Sequence, residues 1–336
     1  MEAFGITAAG ETVHRITLAG GGLTARLLSW GAVLQDLRIE GHGPPLVLGF
    51  DSFADYEAHS PWFGAIAGRF ANRIAGARFT LDGVEHRTDA NEAGRTTLHG
   101  GRKGTANRVW TIAEVAPDRL RLELVDPAGH MGFPGTLHIA CSCRLAPDAR
   151  LILTLEARTD APTPCSLAPH AYFNLDDGGT GDILGHRLTV HAERYLPVDA
   201  TMIPAGGPAP VAGTPFDFRR PRRIRYPAEG PQLGYDHCFC LATQRRPLAP
   251  AAVLEAAGSG LRLEVHTTEP GLQVYAGGGL APPVPGLGGR RYGAFAGVAL
   301  EPQGWPDAPN RPDFPDSILR PGESWRHVTE LRFARR

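Results

Sequence analysis

The chain has 336 residues, 42% hydrophobic and 21% charged, a balance that belongs to folded globular proteins and excludes a disordered one. Lys and Arg number 34 against 35 Asp and Glu, for a formal charge of −1, so no global field would gather nucleic acid or an anionic membrane. No apolar run is long enough to span a bilayer, the N-terminus lacks a signal-peptide pattern, and five cysteines, an odd count, argue for a reducing compartment; a cytoplasmic location is expected.

Glycine (42) and proline (30) are abundant and spread from end to end, so they punctuate many short elements. In chain order, Ala25 to Ile39 and Leu46 to Phe50 read as strands, separated by Gly41-His42-Gly43-Pro44-Pro45. Asp51 to Glu57 reads as a helical turn in which Ser52 and Asp55 have capping-box spacing, and Pro61 closes it. Arg78–Leu81 and Val84–Arg87 flank Asp82-Gly83, the pair that supplies both positive-φ positions of a tight hairpin. Leu120 to Val125 is a further strand. Leu137 to Leu145 and Arg150 to Arg158 form a second hairpin around Ala146-Pro147-Asp148-Ala149. Strands are also expected at His186 to Ala192, Leu261 to Thr267 and Trp325 to Phe333. Leu261, Leu263 and Val265 alternate with Arg262, Glu264 and His266, the pattern of a sheet with one wet face. No long helical period, repeat or linker is visible, so the expectation is all-β: one large antiparallel β-sandwich with few short helices, a single domain over 1–336.

Some features invite other functions. Cys141-Ser142-Cys143 and Cys238-Phe239-Cys240 would place paired sulfurs on one strand face, but structural zinc sites use other spacings, and buried thiols fit better. The run Arg219-Arg220-Pro221-Arg222-Arg223-Ile224-Arg225 is either a solvated loop or a phosphate site. Gly20-Gly21-Gly22 and Gly277-Gly278-Gly279 lack the Lys-Ser/Thr of a phosphate loop.

Polar residues recur in apolar settings. In Pro169-His170-Ala171-Tyr172-Phe173-Asn174-Leu175, strand alternation puts His170, Tyr172 and Asn174 on one face and Ala171, Phe173 and Leu175 on the other. Gly68-Arg69-Phe70-Ala71-Asn72-Arg73-Ile74 mixes two arginines and an asparagine with small and apolar residues. Leu98-His99-Gly100-Gly101 sets a histidine before a flexible backbone. Gly234-Tyr235-Asp236-His237-Cys238-Phe239, Gly271-Leu272-Gln273-Val274-Tyr275 and Val298-Ala299-Leu300-Glu301 each carry a polar group into a run that reads as core. A carboxylate there is costly unless paired or functional.

In this order, and with Gly132-Phe133-Pro134-Gly135, Thr214-Pro215-Phe216-Asp217-Phe218-Arg219 and Ile318-Leu319-Arg320-Pro321-Gly322-Glu323, these motifs resemble the aldose 1-epimerase (galactose mutarotase) family over nearly the whole chain. The resemblance implies a β-sandwich with an open sugar cleft, no metal and no organic cofactor. It implies a monosaccharide substrate, no nucleic-acid or membrane partner, and a monomer or weak homodimer. It makes Glu301 the base on the sugar C1 hydroxyl and His170 the acid at the ring oxygen. Asn72, Arg73, His99, Tyr172, Asp236 and Gln273 become sugar-binding residues, and Arg69 a structural one. The chain departs from the family's common Asn-His-Ser-Tyr and Glu-Thr-Gln at Pro169-His170-Ala171-Tyr172 and Glu301-Pro302-Gln303, which bears on the preferred sugar. Three alternatives stand beside this reading. They are a glycoside hydrolase using Asp236 and Glu301, a non-catalytic carbohydrate-binding protein, and a phosphosugar epimerase holding phosphate on the Arg219–Arg225 run.

Overall fold

Turn chemistry sets the clearest local structure. In the computed structural model, which describes residues 1–335, Asp82 (φ 49°) and Gly83 (φ 83°) both take left-handed backbone and join the strands Arg78–Leu81 and Val84–Arg87. Asp148 and Ala149 do the same between Leu137–Ala146 and Arg150–Thr159, which pair in unbroken antiparallel register. The helix Phe53–His59 starts at Ser52, whose hydroxyl accepts the Asp55 N–H at 3.2 Å and donates to the Asp55 carboxylate at 2.6 Å.

Two sheets carry the architecture. A nine-stranded sheet runs Thr111–Ala116, Arg119–Asp126, Leu137–Ala146, Arg150–Thr159, Trp325–Arg335, Leu261–Thr267, Ala249–Glu255, Arg187–Val190 and Arg222–Arg223. A six-stranded sheet runs Tyr172–Phe173, Val298–Gln303, Gly271–Tyr275, Asp236–Cys240, Arg194–Tyr195 and Ala209–Pro210. Neighbours in both are antiparallel. Residues 2–39 add a four-stranded meander. The principal core joins the sheets, with Leu122, Cys141, Leu153, Leu263 and Leu331 from the nine-stranded sheet and Phe173, Leu272, Val274, Val298 and Leu300 from the six-stranded one. Cys141 and Cys143 are therefore core side chains, and burial pushes their thiols up to about 12 and well beyond the ordinary range, respectively. All five cysteines are free.

Three expected elements differ. Ala25 to Ile39 is two strands, Leu23–Leu28 and Leu34–Ile39, folded back on each other. Leu46 to Phe50 forms no named strand. Its Leu46 and Leu48 N–H groups donate to Leu37 and Tyr172 carbonyls, so this buried apolar run threads between two elements instead of laddering with one. The stretch around His170 is broken into Ala168–Pro169 and Tyr172–Phe173. No helix among the described residues is long and apolar enough to cross a membrane.

The basic run lies at the far edge strand of the nine-stranded sheet. Arg219 is paired with Asp217 and Glu193, Arg222 stacks on Phe218, and Arg225 faces Asp182. None of these arginines lines the cleft described next.

Candidate functional site

Three adjacent strands of the six-stranded sheet set the floor of a cleft of about 380 Å³. Register places Gln273 opposite both Glu301 and Cys238, and Asp236 opposite Tyr275. Because side chains alternate along a strand, Gln273 and Tyr275 share the face that carries Glu301. Glu301 is 2% exposed, and its Oε2 has no hydrogen-bond partner in the protein.

His170 stands against it, with Nε2 3.4 Å from Glu301 Oε2. The break in the strand is what holds this histidine. Pro169 pairs with Ile66 but has no N–H. The next residue supplies the donor: His170 N–H bonds Ala65 O at 2.9 Å, and His170 O accepts Gly64 N–H at 3.0 Å. Behind it, Ala171, Phe173 and Leu175 are buried in the core, as alternation predicts.

The opposite wall comes from two left-handed residues, Asn72 (φ 65°) and His99 (φ 51°). They are locked together: Asn72 N–H donates to His99 Nδ1 at 3.2 Å, and His99 N–H donates to Asn72 O at 3.1 Å. With Nδ1 accepting, the His99 proton sits on Nε2 and is its remaining donor. Asn72 Oδ1 accepts the Arg73 N–H at 2.9 Å. Arg73 then forks onto Glu92 through two 2.8 Å bonds, and its third nitrogen lies 3.7 Å from Asp236. Asp236 Oδ1 accepts Gln273 Nε2 at 2.6 Å.

The electrostatics separate the two central groups. Burial, then the charge of Asp236, push Glu301 well above the ordinary carboxylate range, against the pull of Arg73. Burial lowers His170 to about 4. Burial, with His170 and Arg73 nearby, keeps His99 neutral far below its usual range. A dry carboxyl and a dry imidazole in contact can hold one proton between them, as an uncharged pair or as an ion pair. His99, His170 and Glu301 also offer ligand atoms within 4.8 Å of one another, close enough to hold a cation. A cation there would occupy the same atoms as an acid–base pair.

Of the expected site residues, Glu301, His170, His99, Asn72, Arg73, Asp236 and Tyr172 all line the cleft. Tyr172 contributes its ring as a wall, since its hydroxyl donates to Pro61 O at 3.2 Å. Gln273 is 3% exposed and does not line the cleft; its amide orients Asp236 from beneath. Asn174, on the predicted polar face, is turned away: it is fully buried, donates to Ala296 O and accepts from the Asp176 and Asp177 N–H groups. Arg69 is wholly structural, buried against Asp126.

A family model described as aldose 1-epimerase matches residues 14–332. The chain belongs to the aldose 1-epimerase family. It is 39% identical to a galactose mutarotase of Rattus norvegicus over 97% of this chain and 95% of that one. It is 38% identical to an aldose 1-epimerase of Escherichia coli K12, covering 96% of each. Among solved structures, an aldose epimerase homologue from C. elegans superposes with a TM-score of 0.90 at 30% identity, over 96% of this chain and 99% of that one.

In this aldose 1-epimerase, three cleft residues, Trp62, Asn91 and Glu92, carry no sequence signal of the kind that marks His170. Trp62 has left-handed backbone just after Pro61, and its ring lies 4.8 Å from His99 and stacked 6.2 Å from His170. Asn91 clamps both backbone groups of Leu98, beside His99. Glu92 holds Arg73. Tyr275 could have been found, because it shares the alternating face of Gln273. Glu92→Gln should lower kcat/KM by on the order of 10- to 100-fold by loosening the Arg73 fork, with folding unchanged; steady-state polarimetry with a circular-dichroism control checks this.

Proposed function

We propose that Glu301 and His170 divide the acid–base work of aldose mutarotation, the reaction of the family to which the chain belongs. The observation that carries this reading is the 3.4 Å contact between two buried, oppositely shifted groups on the cleft floor. Starting from ionised Glu301 and protonated His170, the carboxylate takes the proton of the C1 hydroxyl while the imidazolium protonates the ring oxygen. The bond from C1 to the ring oxygen breaks and leaves an open-chain aldehyde. Rotation about C1–C2 presents the other carbonyl face. The hydroxyl that was the ring oxygen attacks C1, His170 recovers its proton, and Glu301 returns one to the C1 oxygen.

Burial sets the order of the protonation states in this cycle. Ring opening converts the ion pair into a neutral carboxyl and a neutral imidazole. Burial stabilises those forms, as the opposite shifts of the two groups record. The neutral pair is therefore the resting form; the ion pair is reached by moving its one proton from Glu301 to His170, ring opening returns the pair to the favoured form, and ring closure regenerates the ion pair. In this reading His99 Nε2–H and the Asn72 amide donate to sugar oxygens and Arg73 with Asp236 grips ring hydroxyls, which their shared position in the cleft lining supports. A free aldose is the substrate class. The paired arginines 219, 222 and 225 lie away from the cleft, which counts against a phosphate handle. A glycosidase built on Asp236 and Glu301 leaves His170 and His99 without work, and Asp236 is already committed to Gln273 and Arg73.

The pH profile follows from proton counting. Activity requires one proton on the pair. A second proton arrives as the pH falls through about 4, where His170 titrates, and the last one leaves as the pH rises through the raised value of Glu301. The expected kcat/KM profile is a broad plateau with its acid limb near pH 4 and its alkaline limb well above 4.5. Initial-rate polarimetry across pH 3–10, corrected for spontaneous mutarotation, measures it. An acid limb near the ordinary histidine value would sink the one-proton account.

A further inference from the structure

Tyr275 lines the cleft, and the acid–base cycle gives it no part. Register fixes where it stands. The strands Tyr172–Phe173, Val298–Gln303, Gly271–Tyr275 and Asp236–Cys240 lie side by side in that order. Glu301 is opposite Gln273, and His170 stands 3.4 Å from Glu301 on the other flank, that of Tyr172–Phe173. One step along the strands, Ala299 lies between Tyr172 and Tyr275, and Tyr275 is opposite Asp236. Tyr275 is therefore one strand across and two residues along from Glu301, a diagonal of roughly 7–8 Å. It lies on the flank away from His170.

Its hydroxyl is held in place and half used. The phenol oxygen accepts the Gly279 N–H at 3.0 Å, in a contact open to solvent, and Gly279 itself lines the cleft. Gly279 comes so close that a Cβ there would stand 3.0 Å from that oxygen. The ring is fixed edge-to-face against Tyr172, with centroids 5.9 Å apart. The Gly279 bond is the only one this hydroxyl makes among the described residues. Burial raises the phenol above its ordinary range, against the Gly279 bond, and Asp236 and Glu301 add to the rise, so the proton stays on the oxygen. A tyrosine that accepts on one side and stays protonated keeps one O–H to aim at a ligand.

Which sugar oxygen takes that proton follows from the order of the strands, and here the inference rests on the acid–base reading above. That reading puts the C1 hydroxyl at Glu301 and the ring oxygen on the His170 flank. The ring oxygen and C2 are the two ring neighbours of C1, so C2 leaves C1 toward the opposite flank, where Tyr275 and Asp236 lie. C5 and C6 follow the ring oxygen and stay on the His170 flank. We propose that Tyr275 determines specificity at the C2–C3 edge of the bound aldose, its hydroxyl donating to a sugar hydroxyl there. A fixed donor discriminates against analogues that lack its acceptor, because the donor is then left unpaired. The same placement makes Tyr275 blind to changes at C6.

Calorimetric titration with anomerically equilibrated sugars tests this without any rate measurement. The ligands are D-galactose and its 2-deoxy, 3-deoxy and 6-deoxy analogues. Each is titrated into the parent and into Tyr275→Phe, which keeps the ring against Tyr172 and removes only the hydroxyl. The substitution should raise Kd about tenfold for D-galactose and the 6-deoxy sugar, and under about twofold for whichever of the 2-deoxy and 3-deoxy sugars lacks the contacted hydroxyl. An equal rise for every sugar, no rise for any, or a rise that disappears only with the 6-deoxy sugar overturns the proposal. These constants do not depend on proton transfer. If Glu301→Gln keeps its rate while the Tyr275 pattern holds, the acid–base roles fall and the Tyr275 contact stands; if that variant is inactive and the pattern fails, the reverse holds.

Discussion

Glu301→Gln should reduce the accelerated mutarotation of freshly dissolved α-D-galactose or α-D-glucose by about 10²- to 10⁴-fold, the range that a positioned acid–base group contributes. The amide keeps the shape of the side chain and its place on the cleft floor, so sugar binding should persist while proton transfer from the C1 hydroxyl stops. His170→Asn should cost a similar factor. The double variant should be little worse than either single one, because the two groups exchange one proton and act as a unit. Glu301→Gln also carries an independent signature. The carboxyl is buried with an unpartnered oxygen, and its folded value lies well above the 4.5 of an unperturbed glutamate. Below 4.5 the group is neutral in both folded and unfolded chains and costs nothing. As the pH rises toward the folded value, the unfolded chain ionises first and gains stability relative to the native one. The variant lacks this penalty, so its melting temperature should match the parent in acid and exceed it at neutral and higher pH. Calorimetry at pH 4 and pH 8 alongside polarimetry reads both effects. A variant retaining more than a tenth of the parent rate would remove Glu301 from the mechanism.

The separation of activity from stability at Glu301 also shows why part of the site is legible in the sequence. A glutamate ending an apolar strand and a histidine inside another are local violations of patterning, and such violations mark function. The hairpin at Asp82-Gly83 was legible for the opposite reason, since its local chemistry permits one turn. What stayed hidden depends on partners distant in sequence. Leu46–Phe50 is apolar enough to be buried, but apolarity does not say that it threads between Leu37 and Tyr172 instead of pairing as a strand. Alternation placed Tyr172 correctly and misplaced Asn174, because the chain leaves the sheet after Phe173 and Asn174 caps the following turn. Glu92 and Trp62 have no pattern of their own. They matter only because the fold brings one to Arg73 and the other to His99. The family order points Gln273 to the sugar, while its geometry makes it a support for Asp236.

Arg69→Met should lower the unfolding temperature by several degrees without touching the chemistry directly. The guanidinium is 1% exposed and every nitrogen is used. Nε bonds Asp126 at 2.7 Å; Nη1 bonds the Pro134 and Gly135 carbonyls and the Thr163 hydroxyl; Nη2 bonds the Asp126 and Pro127 carbonyls. Methionine matches much of the volume and none of these bonds. It leaves several buried carbonyls unpaired and Asp126 dependent on Arg108 and His130 alone. Removing one partner of a buried pair costs about 3–5 kcal/mol, about 4–7 °C in melting temperature for a chain of this size. Lysine should recover only part of the loss, because one ammonium cannot reach carbonyls arranged around a planar fork. The same residue couples fold to function at its backbone. Arg69 O accepts the Ser166 N–H, Ser166 O accepts the Ala71 N–H, and Asn72 and Arg73 follow immediately. Below its lowered melting temperature the variant should therefore keep kcat within a few-fold of the parent, with any loss appearing in KM through Asn72 and Arg73. A collapse of kcat at a temperature where circular dichroism shows a native fold would instead place Arg69 among the groups that act on the sugar.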